Sequence, residues 1–219
     1  MADVLSVNEI FFSLQGEGAR AGLPCVLIRL AGCNLRCRWC DTRHAWTDGR
    51  EMDLEEILKE VRRLGCRLVE LTGGEPLLQA ESRELLRRLC EEGREVLLET
   101  NGATDISGVD EPVVRIMDIK CPSSGADGMM RWENVPLLRP RDEVKFVLAD
   151  RADYDYAKAV ILRHELARKC RVLLSPLMTG PRPELAPARL AEWVLGDGLD
   201  VRLSLQLHKI IWPAKDRGV

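Results

Sequence analysis

Three closely spaced cysteines are the residues whose types and spacing most clearly indicate chemistry. Cys33, Cys37 and Cys40 follow a C-x3-C-x2-C spacing, and Trp39 stands directly before the third cysteine. Thiolates are the usual ligands of iron-sulfur clusters, and three of them from one short loop can hold three irons of a cubane. The fourth iron then stays open to a non-protein ligand. The spacing therefore predicts a 4Fe-4S cluster that binds a further small molecule.

A zinc site and a disulfide framework are the alternative interpretations of these cysteines. A structural zinc ion takes four protein ligands, and the nearby fourth candidate, His44, follows Cys40 at a spacing unlike the usual zinc motifs. Disulfides need an oxidising compartment, but the first residues lack the basic and apolar regions of a signal peptide. The sequence thus favours the cluster, reduced thiols and a cytoplasmic location.

The other cysteines are predicted either to pack in the core or to line a pocket. Cys25, Cys66, Cys90 and Cys170 lie in or beside apolar patterns, where free cysteine behaves as a small buried hydrophobe. We therefore expect these four to pack in the core. Cys121 follows a predicted strand end, which makes it a candidate pocket wall.

Composition bounds the size and the partners of the protein. With 219 residues, of which 46% are hydrophobic, the chain is long enough for one sizeable core and short for two, so we predict a single domain over residues 1–219. The net charge of -3 is spread without a basic block, which argues against a nucleic-acid partner. No apolar run approaches the roughly 20 residues of a membrane helix. We therefore expect a small-molecule site and no membrane partner.

Short runs rich in Val, Ile and Leu alternate with longer amphipathic stretches, which is typical of strands and crossover helices in a parallel sheet. The predicted strands are Cys25 to Leu30, Arg67 to Leu71, Glu95 to Glu99, Val113 to Asp118, Glu143 to Leu148, Arg171 to Leu174 and Val201 to Leu205. The predicted helices are Leu54 to Leu64, Ser82 to Glu92, Tyr154 to Ala167 and Ala186 to Leu195. Asp53 is placed to cap the first helix, and Gly65 and Gly93 stand where C-terminal caps belong.

Each unusual polar motif directly follows one of these strands. The motifs are the cysteine loop, Thr72 to Pro76, Glu99 to Gly102, Asp118 to Lys120, Ser175 with Pro176, and Gln206 to Lys209. The carboxyl ends of parallel strands form the active-site face of α/β folds, so we expect the motifs to converge. A complete barrel takes about 250 residues, and this shorter chain therefore predicts a partial, TIM-like α/β barrel with outer helices. Its open side leaves room for a substrate and for a second subunit, which indicates a homodimer.

The cysteine loop with Trp39 resembles the signature of the radical S-adenosylmethionine (SAM) superfamily. There, three cysteines hold a 4Fe-4S cluster, SAM ligates the open iron, and its reductive cleavage yields a radical that abstracts hydrogen. The run Thr72 to Pro76 resembles the glycine-rich motif that contacts the methionine part of SAM. Its paired glycines let the backbone approach a ligand, and Glu75 can accept hydrogen bonds from an ammonium group. An ordinary strand-to-helix turn in which Pro76 starts the helix is the alternative.

Further motifs narrow this resemblance. They are Phe12 to Gly18, Arg29, the Cys40-Asp41-Thr42 triplet, Glu99 to Gly102 and Gln206 to Lys209. Together they resemble the 7-carboxy-7-deazaguanine synthase family over almost the whole chain, from about Val7 to Lys209. The resemblance implies a lyase that converts 6-carboxy-5,6,7,8-tetrahydropterin to 7-carboxy-7-deazaguanine, with ring contraction and loss of ammonia, in queuosine-type 7-deazapurine biosynthesis. It also implies Mg2+ and an electron donor such as a flavodoxin or ferredoxin.

The resemblance also implies roles for individual residues, with no catalytic residue beyond the cluster and the cofactor radical. The pterin contacts would be Leu14, Gln15 and Gly16 through their backbone, with Arg29 and Thr72. The SAM contacts would be Trp39, Cys40, Asp41, Gly74, Asp118, Ile119, Lys120, Ser175, Pro176, Leu177 and Met178. Thr42 would ligate Mg2+, a hard cation that takes oxygen ligands. The alternatives are a structural ion pair for Arg29 and a helix or turn cap for Thr42.

Departures from the family pattern fall at three places. Asp118 stands where many relatives have Ser, and Leu207 stands where Thr is commoner. The tail from Ala214 to Val219 continues past Pro213, so any family role for the end of the chain in closing the pocket is in doubt.

Two other functions share the cysteine loop. One is an activase that makes a glycyl radical on a partner protein, and the other is a non-catalytic iron-sulfur or zinc module. Leu14 to Gly18, Arg29 and Thr42 suit a small bound anion and a metal rather than an inserted peptide, which favours the synthase.

Overall fold

Strands and helices alternate along the chain in a computed structural model that describes residues 3–179, 183–215 and 217–219. The strands are β1 (Val4–Leu14), β2 (Pro24–Leu30), β3 (Arg50–Asp53), β4 (Leu68–Gly73), β5 (Glu95–Thr100), β6 (Val114–Asp118), β7 (Glu143–Leu148), β8 (Arg171–Pro176) and β9 (Arg202–Leu203). The α-helices are α1 (Leu54–Leu64), α2 (Ser82–Glu91), α3 (Arg151–His164), α4 (Leu166–Lys169), α5 (Pro187–Asp197) and α6 (Leu207–Ile211).

The strands form one sheet of nine in the order β3-β1-β2-β4-β5-β6-β7-β8-β9. From β2 to β9 all neighbours are parallel, whereas β1 pairs antiparallel with both β2 and β3. The order ends at β3 on one side and at β9 on the other, so the sheet is open. This arrangement confirms the predicted partial barrel.

Alternation along the parallel strands separates two apolar layers, because successive side chains point to opposite faces of a sheet. Val69 and Leu71 of β4 pack in the large core with helix residues such as Leu58. The inner face carries a smaller apolar cluster, formed by Cys25, Leu27, Leu68, Leu97, Val114 and Ile116. Polar residues occupy the next inward positions along these strands. The barrel interior therefore has an apolar base and a polar floor near the carboxyl ends.

The predicted elements are confirmed except at their ends and at the amino terminus. The third helix begins at Arg151 and ends at His164, because Asp150 accepts a hydrogen bond from the Asp153 N–H at 3.0 Å and Glu165 adopts φ 50°. The predicted strand from Val201 to Leu205 contains only the two residues of β9. β1 and β3 were absent from the predicted strands and extend the sheet by an antiparallel edge.

The predicted cap residues lie at the expected helix ends. The Asp53 side chain accepts from the Glu56 N–H at 2.7 Å at the start of α1, and Gly65 follows its end with φ 72°. Gly93 has φ 74° just beyond α2. These positive φ values are readily adopted by glycine, so both residues can end a helix without strain.

The cysteines outside the C-x3-C-x2-C loop are mainly core residues, as predicted. Cys25 and Cys170 are buried, while Cys66 and Cys90 are partly buried against the core. Cys121 is also fully buried in the large core and is absent from the residues lining the main pocket. Its proposed place in the pocket wall is therefore wrong.

No helix in the described ranges has both the length and the apolar character needed to cross a bilayer. In the tail past Pro213, Asp216 lies outside the described residues.

Asp153 joins the first turn of α3 to the segment that follows β6. Its buried carboxylate accepts hydrogen bonds from the N–H groups of Ser123 and Ala149, each at 2.9 Å. Ser123 in turn accepts a hydrogen bond at 3.1 Å from the indole N–H of Trp39, in the cysteine loop. Asp153 thus fixes a support of that loop.

We expect Asp153→Ala to lower the free energy of unfolding by roughly 2–4 kcal/mol, because two buried N–H groups lose their acceptor. Asp155→Ala is the matched control, since Asp155 lies on the same helix and its side chain is 55% exposed. The control should change stability by less than about 0.5 kcal/mol. Denaturant titration of both variants measures the difference, and equal effects would contradict the structural role of Asp153.

Candidate active site

The carboxyl ends of the parallel strands β2 and β4 to β8 surround one large pocket into which the predicted motifs converge. Most of the residues expected to bind a ligand or metal line it, namely Leu14, Gln15, Gly16, Arg29, Cys33, Cys37, Trp39, Cys40, Asp41, Thr42, Thr72, Gly74, Asp118, Lys120 and Leu177. Ile119, Ser175, Pro176 and Met178 do not line it and are buried. Side chains from both ends of the chain therefore meet at one site.

The cysteine loop is held in place by bonds to neighbouring segments. The Arg38 N–H donates to the Ser124 carbonyl at 3.0 Å, and the Gly32 N–H donates to the Ala45 carbonyl at 2.8 Å. The Asn101 amide lies 3.9 Å from the Cys33 sulfur. These bonds present the thiols to the pocket from a fixed backbone.

The three thiols suit a cluster better than a single metal ion. All are free, partly buried and lining the same pocket. Burial raises the pKa of Cys33 and of Cys37, and the Lys120 ammonium partly offsets this rise at both thiols. Coordination to a cationic cluster would complete their deprotonation.

A single-ion zinc site finds no support in the described residues. No group of three His, Cys, Asp or Glu side chains there is close enough to hold one ion. The fourth candidate ligand, His44, instead lies 3.7 Å from the Glu9 carboxylate.

The two glycines at the end of β4, Gly73 within the strand and Gly74 directly after it, let two backbones touch. A Cβ added to Gly74 would lie 2.2 Å from the Gly32 carbonyl oxygen, and one added to Gly73 would lie 2.4 Å from that of Leu30. The Gly74 N–H donates to Leu30 at 3.0 Å. Any side chain at either position would push the cysteine loop away from β4.

Glu75 braces this turn. Its buried carboxylate accepts from the N–H groups of Leu77 and Asn101, at 3.1 and 2.7 Å, and from the Thr100 hydroxyl at 2.9 Å. These protein donors hold Glu75 as a support of the turn, and its predicted bond to a ligand's ammonium group stays a prediction. Pro76 begins a short 3-10 helix, so the glycine motif is also a turn, as the alternative interpretation held.

The loop after β1 presents its backbone to the pocket. The Gln15 side chain turns inward, where its amide donates to Glu70 and its oxygen accepts from the Glu17 N–H at 3.0 Å. Gly16 packs against His208, since a Cβ there would lie 2.0 Å from the imidazole Nδ1. The Gly16 carbonyl also accepts from the Leu207 N–H at 2.9 Å. Residues 206–209 thus close over this loop.

The structure supports the alternative interpretation for Arg29, a structural ion pair, but not the one for Thr42, a helix cap. The Arg29 Nε donates to Glu9 at 2.8 Å, so the ion pair exists, yet the residue also lines the pocket. Pairing through Nε leaves two further nitrogens of the guanidinium for a ligand. The Thr42 side chain caps no helix and lies 3.7 Å from the Cys40 sulfur. Thr42 therefore lines the pocket with its hydroxyl beside a predicted cluster ligand.

Asp118 and Lys120 form an ion pair at the end of β6. The Lys120 ammonium lies 2.9 Å from the Asp118 carboxylate and 5.7 Å from the centre of the Trp39 ring. The anionic departure at Asp118 is therefore neutralised within the protein. Ile119 points the other way, into the large core, because adjacent residues of a strand alternate.

Four ionisable residues of the pocket received no individual role from the sequence: Glu17 and Glu99 belong to predicted motifs, whereas Glu70 and Lys145 were missed. All four line the pocket. Burial and the neighbouring charge of Glu99 raise the pKa of Glu70 to about 8, whereas Lys145 outweighs desolvation and lowers the pKa of Glu99. The available signal was a charged residue inside an apolar strand, as in Leu68-Val69-Glu70-Leu71, which indicates an inward position.

The late motif contributes three polar contacts. The Gln206 amide donates to Glu17 at 2.9 Å, and the Lys209 ammonium lies 2.6 Å from the Asp41 carboxylate. Lys209 also donates to the carbonyl of Met178 at 2.9 Å. Burial lowers the pKa of His208, so its imidazole is neutral at neutral pH.

Comparisons with known proteins show the family of this chain. The family described as the Radical SAM superfamily matches residues 27–120. A 7-carboxy-7-deazaguanine synthase from Koribacter versatilis is 46% identical, over 98% of this chain and 100% of its own. One from Chlorobaculum tepidum is 44% identical, over 98% and 97% of the two chains.

A solved structure shares the fold. The crystal structure of QueE from Escherichia coli has a TM-score of 0.76 and 24% identity, and the match covers 94% of this chain and 95% of that one. The full-length relatives, the superfamily match and the converging cysteine and glycine motifs together establish that this chain belongs to the 7-carboxy-7-deazaguanine synthase family of radical SAM enzymes.

Proposed function

We propose that this chain converts 6-carboxy-5,6,7,8-tetrahydropterin to 7-carboxy-7-deazaguanine, with ring contraction and loss of ammonia, on a route to 7-deazapurines. The carrying observation is that the three cysteines share one pocket with Arg29, Thr72 and the loop after β1. Membership of the family over nearly the whole chain favours this reaction over a glycyl-radical activase or a non-catalytic module. The same match supports treating residues 1–219 as one domain.

The cofactor side of the pocket is assigned to the cysteine loop and its neighbours. Cys33, Cys37 and Cys40 would hold the 4Fe-4S cluster, and SAM would lie beside Trp39, Asp41, Gly74, Asp118, Lys120 and Leu177. When bound, the cluster and SAM supply the electron and the radical that start the reaction. Lys120 places a positive charge near the ligand's carboxylate. Ile119, Ser175, Pro176 and Met178 are buried, so any contribution from them would come through the backbone.

The substrate side combines a cation with several acceptors. The free nitrogens of Arg29 suit the pterin carboxylate. The carboxylates of Glu17 and Glu99, together with the Leu14 to Gly16 backbone, offer acceptors to the N–H groups of the pterin ring. Thr72, whose hydroxyl donates to Glu99 at 3.1 Å, orients one of them. His208 and Gln206 cover this side and exclude water.

Magnesium is proposed at Thr42. The hydroxyl caps no helix, and Thr42 lines the same pocket as Arg29. A single neutral oxygen binds Mg2+ weakly, so the remaining ligands must come from substrate and water. The substrate's carboxylate would then lie between the metal and Arg29.

An electron donor protein, such as a flavodoxin or ferredoxin, is proposed to dock on the outer face of the cysteine loop. Arg36, Arg38 and Arg43 are exposed there, although the whole chain carries a net charge of -3. The guanidinium groups of Arg36 and Arg43 lie 4.8 and 5.9 Å from the Trp46 ring. A basic patch beside the cluster ligands complements an acidic carrier.

A homodimer and a cytoplasmic location complete the proposal. Leu203 on the edge strand β9, and Ile210 and Ile211 on α6, are exposed apolar residues that a second subunit could cover. All eight cysteines are free thiols, as a reducing compartment requires.

The anaerobically reconstituted, reduced enzyme should turn over the carboxylated tetrahydropterin to 7-carboxy-7-deazaguanine, with mass spectrometry as the readout. Cys37→Ser should lose both iron and activity, because two thiolates from the loop cannot hold the cluster. Cys90→Ser is the matched control, since Cys90 lies outside the pocket. Wild-type enzyme that holds a SAM-responsive cluster but makes no product would refute the proposed reaction.

Thr42→Ala should weaken magnesium binding, because a metal ligand is lost. The magnesium concentration that half-saturates the rate should therefore rise about tenfold or more. Thr47→Ala, a nearby exposed threonine outside the pocket, serves as the control. A magnesium titration at saturating substrate measures the effect. An identical titration curve for Thr42→Ala and wild type would remove Thr42 from the metal site.

Charge reversal at Arg38→Glu and Arg43→Glu should raise the KM for an acidic flavodoxin about fivefold or more at low salt, while dithionite-driven turnover is retained. Arg168→Glu is the control, since Arg168 is 83% exposed and lies on α4. Iron content reports whether the loop is intact. If the flavodoxin KM stays at the control value in variants with full iron, the docking site lies elsewhere.

A further inference from the structure

Lys145 is a buried cation in the middle of an apolar strand. Its neighbours in β7, Val144 and Phe146, are fully buried, and the lysine side chain is only 7% exposed. Taking an ammonium group out of water is costly unless opposite charges surround it. Such a residue at a pocket floor therefore calls for an explanation beyond packing.

Three acids from separate parts of the chain surround this ammonium group. The Lys145 Nζ lies 2.9 Å from a Glu17 oxygen, 2.5 Å from a Glu99 oxygen and 3.6 Å from an Asp118 oxygen. Glu17 comes from the loop after β1 and Glu99 from β5, whereas Asp118 pairs in register with Lys145 on the adjacent β6. One cation therefore joins two acids that the sheet does not place side by side.

The acids differ in what else holds them. Asp118 has its own cation, Lys120, at 2.9 Å. Glu99 has the Thr72 hydroxyl at 3.1 Å, and Glu17 has the Gln206 amide at 2.9 Å, which are neutral donors. Among the described residues, Lys145 is therefore the cation that pairs directly with Glu17 and Glu99, whereas Asp118 also pairs with Lys120.

We propose that Lys145 is a positioning residue for the substrate: it holds the Glu17 and Glu99 carboxylates together as paired acceptors for the N–H groups of the pterin ring. This inference rests on the proposed function and deepens it. The acids line the pocket and remain partly exposed to it, so they can reach a ligand while Lys145 stays beneath them. Loss of the Lys145 charge should leave the cofactor side unchanged, because Asp118 remains paired with Lys120.

The first test is Lys145→Met, which removes the charge and keeps most of the length. Substrate affinity, measured by calorimetry on the unreduced, cluster-loaded enzyme, should fall about tenfold or more. SAM affinity and iron content should stay within about twofold of wild type, since neither depends on the paired carboxylates. Lys158→Met is the control, a lysine paired at 2.6 Å with Asp197 on the surface. Loss of SAM binding or iron together with substrate affinity would overturn the proposal in favour of a structural role.

A double-mutant cycle with Glu99→Gln separates positioning from direct contact. If Lys145 acts through Glu99, adding Lys145→Met to Glu99→Gln should cost far less affinity than Lys145→Met costs alone. Independent, multiplicative losses would mean that Lys145 touches the pterin itself and would overturn the proposal. Should Lys145→Met fail to fold, Glu99→Gln and the double variant, which lacks both charges, still give the comparison. A further tenfold loss in the double variant would again overturn it.

The pH dependence of substrate affinity is a readout that packing alone would not shift. Lys145 lowers the pKa of Glu99, helped by Lys120, while Glu70 and Glu17 face the same space with negative charge when ionised. Removing the Lys145 ammonium group raises the pKa of Glu99, so Glu99 becomes protonated at a higher pH. As the pH is lowered, the substrate affinity of Lys145→Met should therefore begin to fall at a higher pH than that of wild type. Lys145→Arg, which keeps the charge, should restore the wild-type profile. An unshifted profile in Lys145→Met would contradict the proposal.

The experiments distinguish a failure of the Lys145 inference from a failure of the proposed function. If the wild-type enzyme neither binds nor converts the pterin, the proposed reaction fails before Lys145 is tested. If wild type binds and converts it but Lys145→Met matches Lys158→Met in substrate affinity, only the inference about Lys145 fails.

Discussion

Charge balance inside the barrel is the constraint on which the site depends. An ionised group enclosed by apolar strands keeps its charge only if an opposite charge or several donors lie against it. β4 to β7 place Glu70, Glu99, Asp118 and Lys145 on the inner face, directly beyond an apolar layer that includes Leu97. Glu99 stays ionised beside Lys145. Burial raises the pKa of Glu70 to about 8, so its carboxyl is protonated at neutral pH. The floor therefore contains acids in both protonation states.

Backbone packing, rather than charge, fixes the opposite wall. Gly73 and Gly74 allow the end of β4 to touch the backbone of residues 30–32. The Glu75 N–H then donates to the Gly32 carbonyl at 2.8 Å. A side chain at either glycine would separate the cysteine loop from the strand, and small displacements matter where several groups must hold one ligand. The two walls thus tolerate different changes, since one depends on shape and the other on charge.

The residues of the cluster side of the pocket are easier to predict from the sequence than those of the substrate side. Cys33, Cys37 and Cys40 lie in one short loop and their spacing indicates their chemistry, and the strand that precedes them is apolar apart from Arg29. Glu70, by contrast, is a single charged residue inside an apolar run, so the sequence indicates its inward position but not its partners in the pocket. The alternation rule alone would have separated Asp118 and Lys120, which face the pocket, from Ile119, which faces the core.

Other features required the tertiary structure. β1 carries no uniform apolar run, because its residues Asn8, Glu9 and Ser13 meet solvent or polar partners at the antiparallel edge of the sheet, so composition did not mark it as a strand. The contact of Gly16 with His208 joins positions at opposite ends of the chain. Such pairs follow from sheet order and not from local propensity.

Asp118 links the two walls of the pocket. It lies between Lys120, which faces Trp39 and the cysteine loop, and Lys145, which faces Glu99 and Glu17. Two ammonium groups so close to one another would repel, and each lowers the other's tendency to stay charged. The Asp118 carboxylate offsets part of that repulsion, since it pairs directly with Lys120 and adds to the Glu17 and Glu99 charges around Lys145. The acid at the end of β6 therefore helps both lysines to remain charged, one toward the cofactor side and one toward the substrate side.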